Sequence, residues 1–155
     1  MIRSIVPALA FIAFVSACTK GPAVLAQVEG LRATAVTIHR IDPASEDSKQ
    51  GKGLAAWKVL DSKVVDSAKD RQRILDLLLG DKTYGDRGAL CFDPRDAITL
   101  KNAEGKPIDL VICFECSWVY FYDGEKHLGT LSFSEKGQGD LAALLHEILP
   151  RPPAK

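Results

Sequence analysis

Pro107-Ile-Asp-Leu-Val-Ile-Cys-Phe-Glu-Cys-Ser-Trp-Val-Tyr-Phe-Tyr-Asp123 is the stretch whose reading decides the fold. Its even-numbered residues from Ile108 to Tyr122 are all apolar, aromatic or cysteine, whereas the odd ones include Asp109, Cys113, Glu115 and Ser117. A period of two belongs to an extended strand, which sends alternate side chains to opposite faces. The stretch reads as the spine of a sheet, with Trp118, Tyr120 and Tyr122 sharing the core face of Ile108 and Leu110. Phe121 then lies on the other face, as a candidate exposed contact. Strands usually run about five or six residues, so a bend or bulge is expected, near Ser117.

On either side of this spine the chain alternates strands and helices. Ala35 to Ile41 is rich in β-branched residues and stops at Asp42-Pro43, a first strand. Ala55 to Leu60 returns as a second, paired with the first. Ser67 to Leu79 has helical spacing, a cap at Asp66 or Ser67, and Gly80 where a left-handed terminator is expected. Ala97 to Lys101 is a third strand, and Glu104-Gly105 turns it into the spine. Asp123-Gly124 returns the chain as His127 to Phe133. Leu141, Leu144, Leu145 and Ile148 fall at i, i+3, i+4 and i+7 behind Asp140 as a cap and before Pro150 as a stop. The expected fold is α+β: an antiparallel sheet of about five strands in the order β-β-α-β-β-β-α, with two helices on one face.

The 155 residues suit one domain, and 46% hydrophobic with 26% charged residues is a globular composition. Twenty basic and twenty acidic side chains cancel, which excludes the basic field that nucleic-acid binding requires. No stretch reaches the roughly 20 apolar residues of a spanning helix.

Met1 to Ala17 has a short start with Arg3, an apolar run from Ile5 to Val15, and small residues at Ser16 and Ala17. That is the layout of a secretory signal. Val15-Ser16-Ala17-Cys18 resembles the lipobox of bacterial lipoproteins. The resemblance implies cleavage before Cys18, acylation of that cysteine (a palmitate-type anchor) and a place on the periplasmic side of the cell envelope. Thr19 follows, not the aspartate that favours inner-membrane retention in that family, so the outer membrane is expected. Residues 1–17 are then the signal peptide and 18–34 the lipidated cysteine with a flexible tether. Residues 35–149 form the domain, and 150–155 a Pro-rich tail.

Three other cysteines remain. In a strand Cys113 and Cys116 would point to opposite faces, with Cα atoms about 10 Å apart, too far for a disulfide. If Glu104-Gly105 is the centre of a two-residue turn, Asp96 faces Cys113 and Cys91 faces Trp118, which puts Cys91 diagonally beside Cys116. Three readings follow: a Cys91–Cys116 disulfide with Cys113 free, three reduced core thiols, or a zinc site completed by Asp96 or His127. Cys91-Phe-Asp-Pro-Arg95 together with Val111-Ile-Cys-Phe-Glu-Cys116 and the tyrosine-rich strand resembles a family of uncharacterised bacterial envelope proteins, from about Trp57 to Leu149. That pattern often carries histidine where Asp96 stands here, and the resemblance implies no established activity.

His39, His127 and His146 are scattered, and no Ser-His-Asp order, phosphate loop or two-histidine metal motif is present. The expected function is a lipid-anchored, non-enzymatic binding or interaction module. It would display a mixed face around Asp96, Cys113 and Glu115 to an envelope protein or a small ligand. The alternative is an extracytoplasmic thiol-redox or zinc protein using Cys91, Cys113 and Cys116. No cofactor other than that zinc is implied.

Overall fold

The computed structural model describes residues 23–44, 53–90 and 92–151. In chain order the elements are α1 (Ala23–Leu31), β1 (Ala35–Asp42), β2 (Lys58–Val64), α2 (Ala68–Leu79), β3 (Tyr84–Gly85), β4 (Asp96–Lys101), β5 (Pro107–Cys113), β6 (Trp118–Asp123), β7 (Lys126–Phe133) and α3 (Glu135–Ile148). The strands form one seven-stranded sheet in the order β2-β1-β4-β5-β6-β7-β3, antiparallel throughout. The α+β class holds, with seven strands in place of five and three α-helices in place of two among the described residues.

The expected spine is two strands. Cys113 ends β5, the chain reverses through residues 114–117, and Ser117 takes a left-handed φ of 60°. The kink expected near Ser117 is thus a full hairpin. Cys113 sits opposite Trp118, so an odd-numbered residue on β5 shares its face with an even-numbered one on β6. Crossing the turn therefore swaps the faces. Val119 and Phe121 join Ile108, Leu110 and Ile112 in the core beneath the helices, while Tyr122 packs with Ile41, Ala97 and Val111 on the opposite face. Phe121 is fully buried rather than an exposed contact. Trp118, Tyr120 and Tyr122 do not share the face of Ile108.

A second shift in register sits at the preceding turn. Lys101 pairs with Pro107, Gly105 N–H bonds Asn102 C=O at 3.0 Å, and Gly105 has φ 79°. This is a three-residue loop ending in a left-handed glycine, not a two-residue turn. Asp96 consequently pairs with Ile112 instead of Cys113. A one-residue slip moves a side chain to the other face, so Asp96 points under the helices.

Part of the expected tether is helical. Val24, Val28 and Leu31 fall at i, i+4 and i+7 and are buried against the sheet, so α1 belongs to the domain. The remainder of the tether, residues 18–22, and the signal peptide lie outside the described residues. Gly129 leaves room for α1: a Cβ there would lie 3.2 Å from Val24 Cβ.

Helix α2 starts as expected, with Ser67 accepting from Asp70 N–H at 3.2 Å. Its end differs, because Gly80 is extended (φ −73°). Thr83 and Tyr84 close the helix, their hydroxyls donating to Leu77 C=O at 2.5 Å and Leu78 C=O at 2.8 Å. Helix α3 begins at Glu135, five residues before Asp140, because Ser134 caps Gly137 N–H at 3.0 Å. Gly137 is required there, since a Cβ would meet Thr83 backbone at 2.3 Å. All three helices pack on one sheet face. The other face carries a smaller cluster roofed by Leu54, Trp57 and Phe92, with the Phe92 ring 4.2 Å from that of Tyr120 on β6.

The placement of Phe121 is open to a direct check. Phe121→Ala is expected to lower unfolding free energy by about 3–5 kcal/mol in urea titrations. Glu125→Ala, at the exposed β6–β7 turn, should change it by less than about 0.5 kcal/mol.

Candidate functional site

Charge is concentrated where β1, β4 and the end of α3 meet. Arg40 and Asp96 occupy even-numbered positions on neighbouring strands, directly opposite each other, and both point beneath α3. The Arg40 guanidinium pairs with Asp96 and also donates to Leu149 C=O, the unpaired carbonyl just past α3. Arg151 reaches the other carboxylate oxygen at 2.7 Å, so the first residues of the expected tail are fastened to the sheet. His146, in the last turn of α3, lies 3.9 Å from the same oxygen. The side chains of Asp96 and Arg40 are 1% and 7% exposed.

Two guanidiniums thus share one buried carboxylate. The imbalance is felt by Arg40 and His146. Burial first, and then repulsion from Arg151, pushes the Arg40 guanidinium down to about 10, with Asp61 acting in the opposite sense. Burial, Arg151 and Arg40 likewise push His146 below its usual range. Arg40 Nε and His146 Nε2 have no hydrogen-bond partner among the described residues.

This cluster opens onto a groove of about 780 Å³. Arg40, Arg95 and Arg151 border it on the charged side, and Ile41, Leu60 and Pro150 supply apolar walls. Asp61 also lines it. Arg95 is half-exposed, 2.9 Å from Asp93, with Glu115 3.9 Å from its Nε.

The expected mixed face is therefore not assembled. Asp96 lies beneath α3, Cys113 is fully buried at the start of the hairpin, and Glu115 stands exposed at its tip. Cys113 is bonded to Cys116, with Cα atoms 5.2 Å apart. The pairing of Cys116 with Cys91 is thereby corrected, and Cys91 itself lies outside the described residues. The reason is the hairpin: the 10 Å separation holds for a continuous strand, and residues 114–117 fold the two cysteines together. Cys113 Sγ accepts from Cys116 N–H at 3.1 Å and Cys116 Sγ from Asp93 N–H at 3.4 Å. His127 pairs with Tyr122 at the end of β6 remote from Cys113. Among the described residues no three His, Cys, Asp or Glu side chains are grouped to hold a metal ion.

The open face of the sheet carries a hydrogen-bonded chain across four strands that scattered histidines did not suggest. Thr99 Oγ1 donates to Asp109 Oδ1 at 2.6 Å, and His39 Nε2 lies 3.0 Å from the same hydroxyl oxygen. A carboxylate only accepts, so the single Thr99 proton is spent on it and His39 must donate from Nε2. Its Nδ1 is then bare and accepts from the Ser62 hydroxyl at 2.7 Å. Burial pushes His39 down, against the pull of Asp109 and together with Lys101, which favours this neutral tautomer. Ser62, Thr99 and Asp109 are far from His39 in sequence, and the cross-strand pairings alone bring them together.

The site and sheet define an antiparallel α+β domain with an arginine-bordered groove at one end. No protein-family profile matches the chain, and no curated protein or solved structure is significantly similar to it. Among the described residues no helix is long and apolar enough to cross a membrane.

His146 makes the cluster pH-sensitive. Its folded-state pKa lies below the value of 6.5 that it has unfolded, so the folded state resists the proton that the unfolded chain accepts. Stability from this source is complete above the unfolded value and declines as pH falls through it. The fall in melting temperature between about pH 7.5 and 5.5 should be shallower in His146→Gln than in wild type. An unchanged slope would remove His146 from the cluster's electrostatics.

Proposed function

We propose that this chain is a lipid-anchored protein of the bacterial cell envelope, held through Cys18, that works as a non-enzymatic binding module. Its ligand is an anion with an apolar portion, taken by the groove that Arg40, Arg95 and Arg151 border. The observation that carries the reading is the sharing of the Asp96 carboxylate by Arg40 and Arg151, two guanidiniums on one carboxylate at the groove wall, with Asp61 offsetting part of their charge. Ile41, Leu60 and Pro150 give the ligand's carbon chain a surface to cover. The lipobox resemblance supports the anchor, and the absence of an aspartate at Thr19 favours the outer membrane, on its periplasmic side. The acidic ligand is a free small molecule or a group displayed by an envelope protein partner.

A thiol-redox role is the second reading, favoured by the Cys113–Cys116 bond. Both cysteines are buried, 0% and 1% exposed, which suits a structural staple better than an exchanging pair. A zinc role would first require that bond to be reduced.

Calorimetric titration with dodecyl phosphate and with dodecyltrimethylammonium tests the groove. The phosphate is expected to bind and the cation not to, and Arg95→Gln, a change at a half-exposed side chain, should weaken binding about tenfold. Equal binding of both amphiphiles would sink the proposal. The anchor is tested separately: labelled palmitate should enter the wild-type chain and not Cys18→Ser.

A further inference from the structure

Strand β2 forms one edge of the sheet, and every residue from Lys58 to Val64 is exposed. The opposite edge, β3, is two residues long. Of the four exposed large hydrophobic residues among those described, three lie on β2: Val59, Leu60 and Val64. A long, apolar, uncovered edge offers unpaired backbone groups to another strand. Residues 58–64 contain no proline, and the charged side chains alternate in sign instead of repelling a like edge.

The hydrogen-bond phase of this edge is fixed by its inner partner. Val65 N–H bonds Val36 C=O at 2.9 Å, and β1 pairs Ile38 with Lys63 and His39 with Ser62. Alternation along the pair then turns the polar backbone groups of Lys63 toward β1 and those of Ser62 and Val64 outward. Ser62 N–H is indeed taken by the side chain of Asp61, at 2.8 Å, and not by β1.

We infer that β2 pairs antiparallel with β2 of a second copy of this chain, with the two-fold axis passing at Ser62. The charges select that register over its neighbours. An axis at Asp61 sets Asp61 against its own copy, and an axis at Lys63 sets Lys63 against its own. Registers between these pair outward-facing residues with inward-facing ones and form no ladder. An axis at Ser62 places Asp61 opposite Lys63 twice, so the charged positions match, and the ladder ends at Leu60, where β2 bulges between the pairings Arg40–Asp61 and Ile41–Val59. Ser62 then faces its own copy in a hydrogen-bonded pair, and its N–H exchanges the Asp61 carboxylate for the partner's carbonyl. The freed carboxylate meets Lys63 of the second copy, whose ammonium exchanges the Ile148 carbonyl it bonds at 2.9 Å for that carboxylate. The two sheets become one continuous sheet, whose exposed edge strand β2 is removed.

Sedimentation of the full chain in nonionic detergent, from about 10 µM to about 1 mM, tests this. Wild type is expected to dimerise within that range. Asp61→Lys and Lys63→Asp should each weaken the dimer at least tenfold, and the double exchange Asp61→Lys/Lys63→Asp should restore it. A wild-type chain that stays monomeric throughout overturns the inference. So does a dimer that tolerates either single reversal, or one that the double exchange fails to rescue.

Discussion

The arrangement rests on the Asp96 carboxylate. It stands at the first position of β4, opposite Arg40 on β1, under the last turn of α3 and within reach of Arg151 beyond it. A charge this deeply buried is tolerated only when paired, and removing one member of such a group strands the others. Strand, helix end and tail are therefore tied to one another through a single acidic side chain. The same group sets the local field, because one carboxylate faces two guanidiniums and a histidine whose charged form burial disfavours.

Packing gives this cluster its position. Three helices cover one face of the sheet, and Leu141, Leu144 and Leu145 of α3 lock that helix into the core with Ile98, Ile112 and Phe133. The end of α3 is consequently fixed over β1 and β4, and its last carbonyl at Leu149 finds the Arg40 guanidinium instead of water. The opposite face is only partly roofed, which leaves the Ser62–His39–Thr99–Asp109 chain at the sheet surface. One sheet thus presents a closed, charge-anchored side and an open polar side.

Much of this was legible in local signals. The β-branched run of β1, the Ser67 cap of α2, the Asp123-Gly124 hairpin and the leucine spacing of α3 each have a near-neighbour cause, and each occurs. The reversal at residues 114–117 was not legible. Phe-Glu-Cys-Ser has no glycine, proline or asparagine to mark it, and the left-handed position falls to Ser117, a residue that seldom takes it. Alternation continued through the turn because both sheet faces carry large side chains there, Phe121 on one and Tyr122 on the other. The three-residue loop at Gly105 moved Asp96 by one register position, enough to carry it from the expected display face to the buried cluster. Arg151 was hidden in a tail with no periodicity, and the His39 chain depends on strand pairings that spacing along the sequence does not encode.

The central claim is that the charge gathered around Asp96 makes the groove an anion site. Arginine Nε–Hε resonances followed by NMR during titration with inorganic phosphate test it most directly. The Arg40, Arg95 and Arg151 signals should move together and saturate, while those of Arg71, Arg73 and Arg87, elsewhere on the surface, stay in place. Small, unsaturating shifts spread evenly over these six of the chain's arginines would contradict the account.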